Sequence, residues 1–226
     1  MFTGFTDATV DFLWGIRFNN ERPWFEAHKE TYLSELYRPM KDLGAEIYDF
    51  LSERRPEDAM MCRVSRIYRD ARRLHGRGPY KDHLWFCVRT GDKDWTGRPT
   101  FYFEIAPDYY SYGMGFWQAP AELMEAFRRD LQEHPQKFGK LVRSFEKQNV
   151  FTLNGDSYAR SKGEVSDLLR PWFQKKSISL SHEVPLDEKI FQPELAEEIL
   201  GNFKLLVPFY KYFAGLCAAV ARRPEE

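Results

Sequence analysis

The stretch that most constrains what this chain can fold into is PTFYFEIAPDYYSYGMGFW, residues 99–117. In its first half Phe101, Phe103 and Ile105 alternate with Tyr102 and Glu104, the period of two that puts one set of side chains on each face of a strand. Pro107-Asp108 then supplies a preset φ and a local acceptor for a tight turn. Residues 109–117 are therefore expected to return antiparallel to the first half. Upstream, LWFCVR at 84–89 reads as a strand buried on both faces. Residues 62–69 read as another strand, because Val64, Ile67 and Tyr68 suit a pleated surface. The arginines at 66, 69, 73 and 77 also recur at three and four, which leaves a helical reading of that stretch open. The middle of the chain, 60–118, is read as a short antiparallel meander.

On either side the period changes. Thr6 or Asp7 can cap a first helix, with Val10, Leu13, Trp14 and Phe18 at helical spacing. Asn19-Asn20 ends it and can cap the next. Pro23 suits the first turn of a second helix, where a missing N–H costs nothing, and Phe25, His28, Tyr32 and Leu36 form its apolar face. Pro39 opens a third, with Met40, Leu43, Ile47, Phe50 and Leu51 inward, ending near 55–58. After Pro120 helices resume: Leu123, Met124, Phe127 and Leu131 make one face, and Phe138, Leu141, Val142 and Phe145 another. The stretch 150–182 is mixed, with a short strand at 150–153. Leu195, Ile199 and Phe203 begin a C-terminal helix that Pro208 is expected to break or kink, with 209–220 continuing as a buried helix. Helices, then sheet, then helices is an α+β pattern: a central antiparallel sheet covered by N-terminal and C-terminal helices. The expected layout is a single domain over 1–226, helical in 1–58, sheet in 60–118 and helical in 119–226.

Composition supports a sizeable core, since 43% of residues are hydrophobic and 19 Phe, 12 Tyr and 6 Trp are present. A chain this aromatic buries enough area to offset its ordering entropy, which excludes wholesale disorder. Cys62, Cys87 and Cys217 are odd in number and far apart, the pattern of reduced, buried thiols and not of a disulfide framework. The opening MFTGFTDATVDF has no basic segment and carries Asp7 and Asp11, unlike a signal peptide. The longest apolar run, 212–221, is about half of what a membrane span requires. A soluble, cytoplasmic protein without membrane contact is expected, its oligomeric state unknown at this stage.

The net charge is −1, yet seven Lys or Arg (63, 66, 69, 72, 73, 77 and 81) fall within 63–81 against one acid, Asp70. That local balance of +6 leaves −7 for the remainder. Such a concentration is either an anion-binding surface or a set of structural ion pairs. Arg presents a rigid fork matched to phosphate or carboxylate oxygens, and Lys adds a compact point charge. If the stretch is extended, Arg66, Tyr68, Asp70 and Arg72 share one face and Arg69 lies on the other. Asp70 is then placed to hold arginines in fixed rotamers, and the 76–80 loop to fold Tyr80 and Lys81 over the same face. The residues assigned to a small anionic ligand are Arg66, Arg69, Asp70, Arg72, Tyr80 and Lys81, with the amides of Asn19 and Asn20 reaching the same pocket. Asp70, Tyr80 and His83 are the candidates for proton transfer, although no motif names a reaction and enzyme status is left open. The structural alternative pairs the arginines with Asp70, Glu104 or the acids of 183–198, and uses Asn19 and Asn20 only as helix caps. A second functional reading is an interaction module whose basic face meets an acidic protein partner. Single-stranded nucleic acid is a third, disfavoured by the acidic remainder and the lack of a binding signature.

No cofactor or metal is expected. Residues 112–118, YGMGFWQ, have Gln118 where a dinucleotide-binding turn needs its third glycine, and sit in a hairpin context. Gly113 and Gly115 are instead expected to let a helix or ring approach the strand. His28, His75, His83, His134 and His182 lack the paired spacing of a metal site. His28 reads as a hydrogen-bonded core residue; His75 and His83 flank the basic loop. Nucleophile elbow, P-loop and His-Glu-x-x-His runs are missing.

Residues 66–83, RIYRDARRLHGRGPYKDH, resemble the signature RxxRDxRFxxDKxPYKxN of an uncharacterised, mostly bacterial family, a conserved domain of unknown function. Arg66, Arg69, Asp70, Arg72, Pro79, Tyr80 and Lys81 are retained. Arg73 replaces a Phe, Gly76 an Asp, Arg77 a Lys and His83 an Asn, so any site that needs a carboxylate at Gly76 or an amide at His83 is put in doubt. Asn19-Asn20-Glu21-Arg22 with Trp24-Phe25, residues 113–115, and Phe127-Arg128 are also similar to the family. The resemblance covers nearly the whole chain and implies one domain; it implies neither an activity nor a cofactor.

Overall fold

The helix-to-sheet-to-helix order carries through to the fold in a computed structural model, which describes all residues except Ala71, Arg73, Leu74, His75, Arg77, Asp92 and 223–226. Helix α1, Asp7–Phe18, ends at Asn19 and starts at a reciprocal capping box between Thr6 and Thr9, which satisfies the Thr9 N–H of its first turn and the Thr6 N–H before it. Helix α2 is Arg22–Ala27, with Pro23 in its first turn as expected. Next, α3, Lys29–Thr31, runs through a π-helical turn, Tyr32–Tyr37, into α4, Arg38–Arg54. Pro39 therefore does not open a new helix from a loop; it sits just inside α4. Proline has no N–H to give the Glu35 carbonyl four residues back, and the Thr9 hydroxyl donates to that carbonyl instead at 2.6 Å.

Strands β1 (Met60–Val64), β2 (Leu84–Thr90), β3 (Thr100–Ile105) and β4 (Tyr109–Gly115) follow, then α5 (Ala121–Glu133) and α6 (Pro135–Phe145). After these come β5 (Thr152–Asn154), the single turn α7 (Arg170–Phe173), β6 (Ser179–Pro185) and α8 (Glu194–Ala221). The fold is α+β, a central antiparallel sheet flanked by N-terminal and C-terminal helices, with strand order β1-β2-β3-β4-β6-β5. The first four strands form the expected meander. The other two extend it from within the C-terminal helical region: β5 pairs antiparallel with β6, Leu153 opposite Leu180. Gly113 and Gly115 make room for this added strand and not for a ring or helix. A Cβ on Gly113 would lie 2.1 Å from the Leu180 carbonyl oxygen, and one on Gly115 2.7 Å from that of Ile178.

The strand expected over 62–69 stops at Val64. Ser65 N–H still donates to the Trp85 carbonyl at 2.7 Å, but the chain then turns away and pairs with its own return. Arg69 N–H donates to Pro79 O at 2.8 Å and Lys81 N–H to Ile67 O at 2.7 Å, around a Tyr68–Tyr80 bridge. The alternative helical reading of 66–69 is excluded by this pairing.

The chain forms two compact units. In the first, residues 1–88, 102–112 and 183–200, Phe5, Phe86, Phe103 and Tyr110 form a run of stacked rings at 5.6 to 6.2 Å. In the second, residues 89–101, 113–182 and 201–226, Phe101 lies against Phe203 and Tyr210 at 5.0 and 5.2 Å. Phe127, Phe138, Trp172, Phe209 and Phe213 close around them in edge and stacked contacts. Helix α8 is long and apolar enough to cross a membrane by length and composition, but these rings show its inner side packed as core. Pro208 does not interrupt it. Both Pro208 and Lys204, whose carbonyl loses its partner, are exposed, the side of a helix on which solvent can satisfy such a carbonyl.

Candidate anion site

The basic segment is organised by backbone capture. Asn20 grips Tyr80 from both sides: its Nδ2 donates to Tyr80 O and its Oδ1 accepts from Tyr80 N–H, both at 2.9 Å. This amide imitates one step of a β-ladder. Gly78 permits the approach, because a Cβ there would stand 2.2 Å from Asn20 Oδ1. Asn20 is therefore a fastener and not a helix cap, and Glu21 occupies the N-cap position of α2. Asn19 is the C-cap of α1, its Nδ2 donating to Gly15 O at 3.0 Å.

Tyr80 is 2% exposed and its ring stacks on Phe25 at 4.4 Å, with Tyr68 at 5.3 Å. Burial, aided by the neighbouring Tyr68 and Glu26, pushes its phenol above the ordinary range. Its carbonyl accepts a second hydrogen bond, from Arg69 Nε at 2.7 Å. Arg69 Nη2 lies 3.5 Å from Asp82 Oδ1. Asp82 is the hub of the site: its Oδ2 accepts from Arg17 Nε at 2.7 Å and its Oδ1 from His83 Nδ1 at 3.3 Å. Arg17, from the last turn of α1, also spans both oxygens of Asp108 at 3.2 and 3.3 Å. Burial alone would raise the Asp82 carboxyl, but the hydrogen bonds from Arg17 and His83 outweigh it and hold the group below the usual carboxylate range. With Nδ1 committed to Asp82, His83 keeps Nε2 as the ring atom able to exchange a proton.

The remaining members lie further out. Asp70 holds Arg72 in a two-point pair, Nε to Oδ1 at 3.0 Å and Nη2 to Oδ2 at 2.8 Å, with the Arg72 side chain 88% exposed. Arg66 is exposed, and among the described residues its guanidinium has no partner. Lys81 Nζ donates to the Arg66 carbonyl and lies 5.7 Å from the Trp85 ring centre. Burial, and then the charges of Arg69 and Arg66, lower its pKa, with Glu104 opposing. Glu104 is itself engaged by the Tyr109 hydroxyl at 2.7 Å. Arg73, Arg77 and His75 lie outside the described residues.

The structure thus brings Asn20, Arg66, Arg69, Tyr80, Lys81 and His83 together, and leaves Asn19 at its cap and the Asp70–Arg72 pair exposed. Sequence reasoning missed Arg17, Asp82 and Asp108. Asp82, directly after Pro-Tyr-Lys, carries no pattern of its own. Arg17 and Asp108 arrive from other elements and carry none either. His28, expected in the core, is exposed; it stacks on Trp24 at 4.0 Å and donates from Nδ1 to the Trp24 carbonyl, because α2 ends there. Among the described residues no three His, Cys, Asp or Glu side chains gather as metal ligands would. Among the described residues the three cysteines form no disulfide; Cys87 and Cys217 are buried and Cys62 is half-buried. Burial first, and then Cys87, push the Cys62 thiol up to about 12.

A family model described as a conserved hypothetical protein (DUF2461) matches residues 8–212. No curated protein matches the chain.

Proposed function

We propose, for a chain that belongs to the DUF2461 family of conserved hypothetical proteins, that the cations around the Tyr80 backbone bind a small anionic ligand bearing phosphate or carboxylate. One observation carries this reading. The half-buried Lys81 ammonium has only a neutral carbonyl as acceptor, beside two arginines that depress its pKa, and among the described residues no acid reaches it within ion-pair distance. Arg66 adds a second uncompensated charge. Arg69, locked by Tyr80 O and Asp82, supplies field and not a free fork. Arg17, Asp82 and Asn20 are the support that keeps this array in place. If chemistry occurs on the ligand, His83 Nε2 is the group placed to move a proton, since Tyr80 is buried and Asp70 is engaged by Arg72.

The test is a thermal-shift and calorimetric titration of the whole chain with inorganic phosphate and with malonate. A ligand at about a hundred times its dissociation constant adds about 2.7 kcal/mol of stability, and Arg66→Ala and Lys81→Met should each remove most of that gain while the unliganded melting point holds. Unchanged binding in both variants, or no binding to the unmodified chain, sinks the proposal. The second reading, an acidic protein partner, draws on Arg63, also exposed and unpaired among the described residues. It predicts salt-sensitive binding of a polyglutamate peptide that Arg63→Ala weakens, with no response to phosphate.

A further inference from the structure

Within the second unit, three cations gather on one tyrosine. Arg128 Cζ, Lys162 Nζ and Lys176 Nζ lie 5.3, 4.6 and 5.6 Å from the ring centre of Tyr158. Arg128 comes from α5 and is only 8% exposed. Its Nη1 is fully buried without a hydrogen-bond partner, and among the described residues no acid pairs with it. The loop that carries Tyr158 and Lys162 is pinned after β5: Tyr158 N–H donates to Gln174 O at 2.8 Å and Lys176 N–H to Asp156 O at 2.7 Å. The three charges thus lie within 5.6 Å of one ring centre, on a loop whose main chain is pinned at Tyr158 and next to Lys176.

Like charges gathered on one ring repel, and a cation–π contact returns only a fraction of what an unpaired buried guanidinium costs. Burial leaves the Arg128 donor unable to turn to bulk water. An arrangement of this kind becomes favourable when a multiply charged acceptor fills it, and a phosphoryl group, with close to two negative charges and three acceptor oxygens, matches three converging cations. We infer that Arg128, Lys162 and Lys176 around Tyr158 form a second anion site, specific for a phosphoryl group. Arg128 supplies the buried fork and the two exposed lysines close over the anion from the solvent side.

The experiment uses the whole chain carrying Arg66→Ala and Lys81→Met, so that the site proposed at Tyr80 is silent and the two readings fail separately. Calorimetric titration with inorganic phosphate at low ionic strength should still show binding. Adding Lys162→Ala and Lys176→Ala, both at exposed positions, should weaken it about tenfold or more. Arg128→Gln should abolish it, and Arg128→Lys, which keeps the charge without the fork, should restore part. Equal affinity for inorganic phosphate and ribose 5-phosphate identifies the free anion as ligand; tighter binding of the sugar phosphate identifies a phosphorylated small molecule. No phosphate binding in this background, or binding that the lysine pair leaves unchanged, overturns the inference and makes Arg128 a buried charge met by water alone.

Discussion

At the scale of single residues, Asp82 matters more to the basic segment than any of the arginines that announce it. It accepts from Arg17 and His83 and faces Arg69, so its charge settles three neighbours at once. Its folded-state pKa is lowered. The stability it contributes is therefore complete above the unfolded carboxyl value of about 3.9 and disappears as pH falls through the lowered folded value. Asp82→Asn should cost about 1–3 kcal/mol at pH 7, read from urea denaturation, and the gap to the parent chain should narrow as pH falls below the ordinary carboxyl value of about 3.9 and through the lowered folded one. A gap that does not change with pH would mean that shape, not charge, is what Asp82 provides. The local excess of Lys and Arg was plain from composition. The acid that compensates it was not, because one aspartate following Pro-Tyr-Lys carries no pattern until Arg17 is brought beside it.

At the scale of elements, the contact between α1 and the helix after it shows how a local rule is rescued from a distance. Pro39 would ordinarily open or break a helix. It lies inside one because Thr9, already spent on its own capping box, also donates its hydroxyl to the Glu35 carbonyl. Thr9→Val removes that donor at a fully buried position and should destabilise the chain by about 1–3 kcal/mol. Thr9→Ser should recover most of the loss, and chemical denaturation of the two variants separates a hydroxyl effect from a packing effect. Equal losses in both would leave the hydroxyl with no part in the junction. The hairpin at 99–117 was legible, since alternation and a Pro-Asp turn are local properties. The β6 strand was missed although Ile178, Leu180 and Val184 alternate with Ser179, Ser181 and Glu183; its place in the sheet is set by the space that Gly113 and Gly115 leave open. The end of β1 at Val64 was equally hidden, because the alternative partner of 67–69 is the chain's own return at 79–81.

At the scale of the whole molecule, proton linkage offers a test of anion binding that needs no substitution. Lys81 has a lowered pKa, chiefly through burial, and an anion favours its charged form. Phosphate affinity should therefore fall as pH rises through that lowered value, earlier than an ordinary lysine near 10.4 would dictate. Binding in that range should take up protons, measurable by titration in buffers of different ionisation heat. An affinity that stays flat up to the ordinary lysine value of about 10.4 would dissociate Lys81 from the ligand. Sequence by itself determined the α+β order, the meander, a first-helix cap at Thr6 or Asp7, the stop at Asn19-Asn20 and the place where positive charge collects, since each depends on residues close together in the chain. Tertiary structure alone decided which cations stay uncompensated, because that depends on whether an acid or a carbonyl from another element comes within about 4 Å. Asp82 and the Tyr80 carbonyl come that close to Arg69, whereas no acid among the described residues does so for Lys81, Arg66 or Arg128.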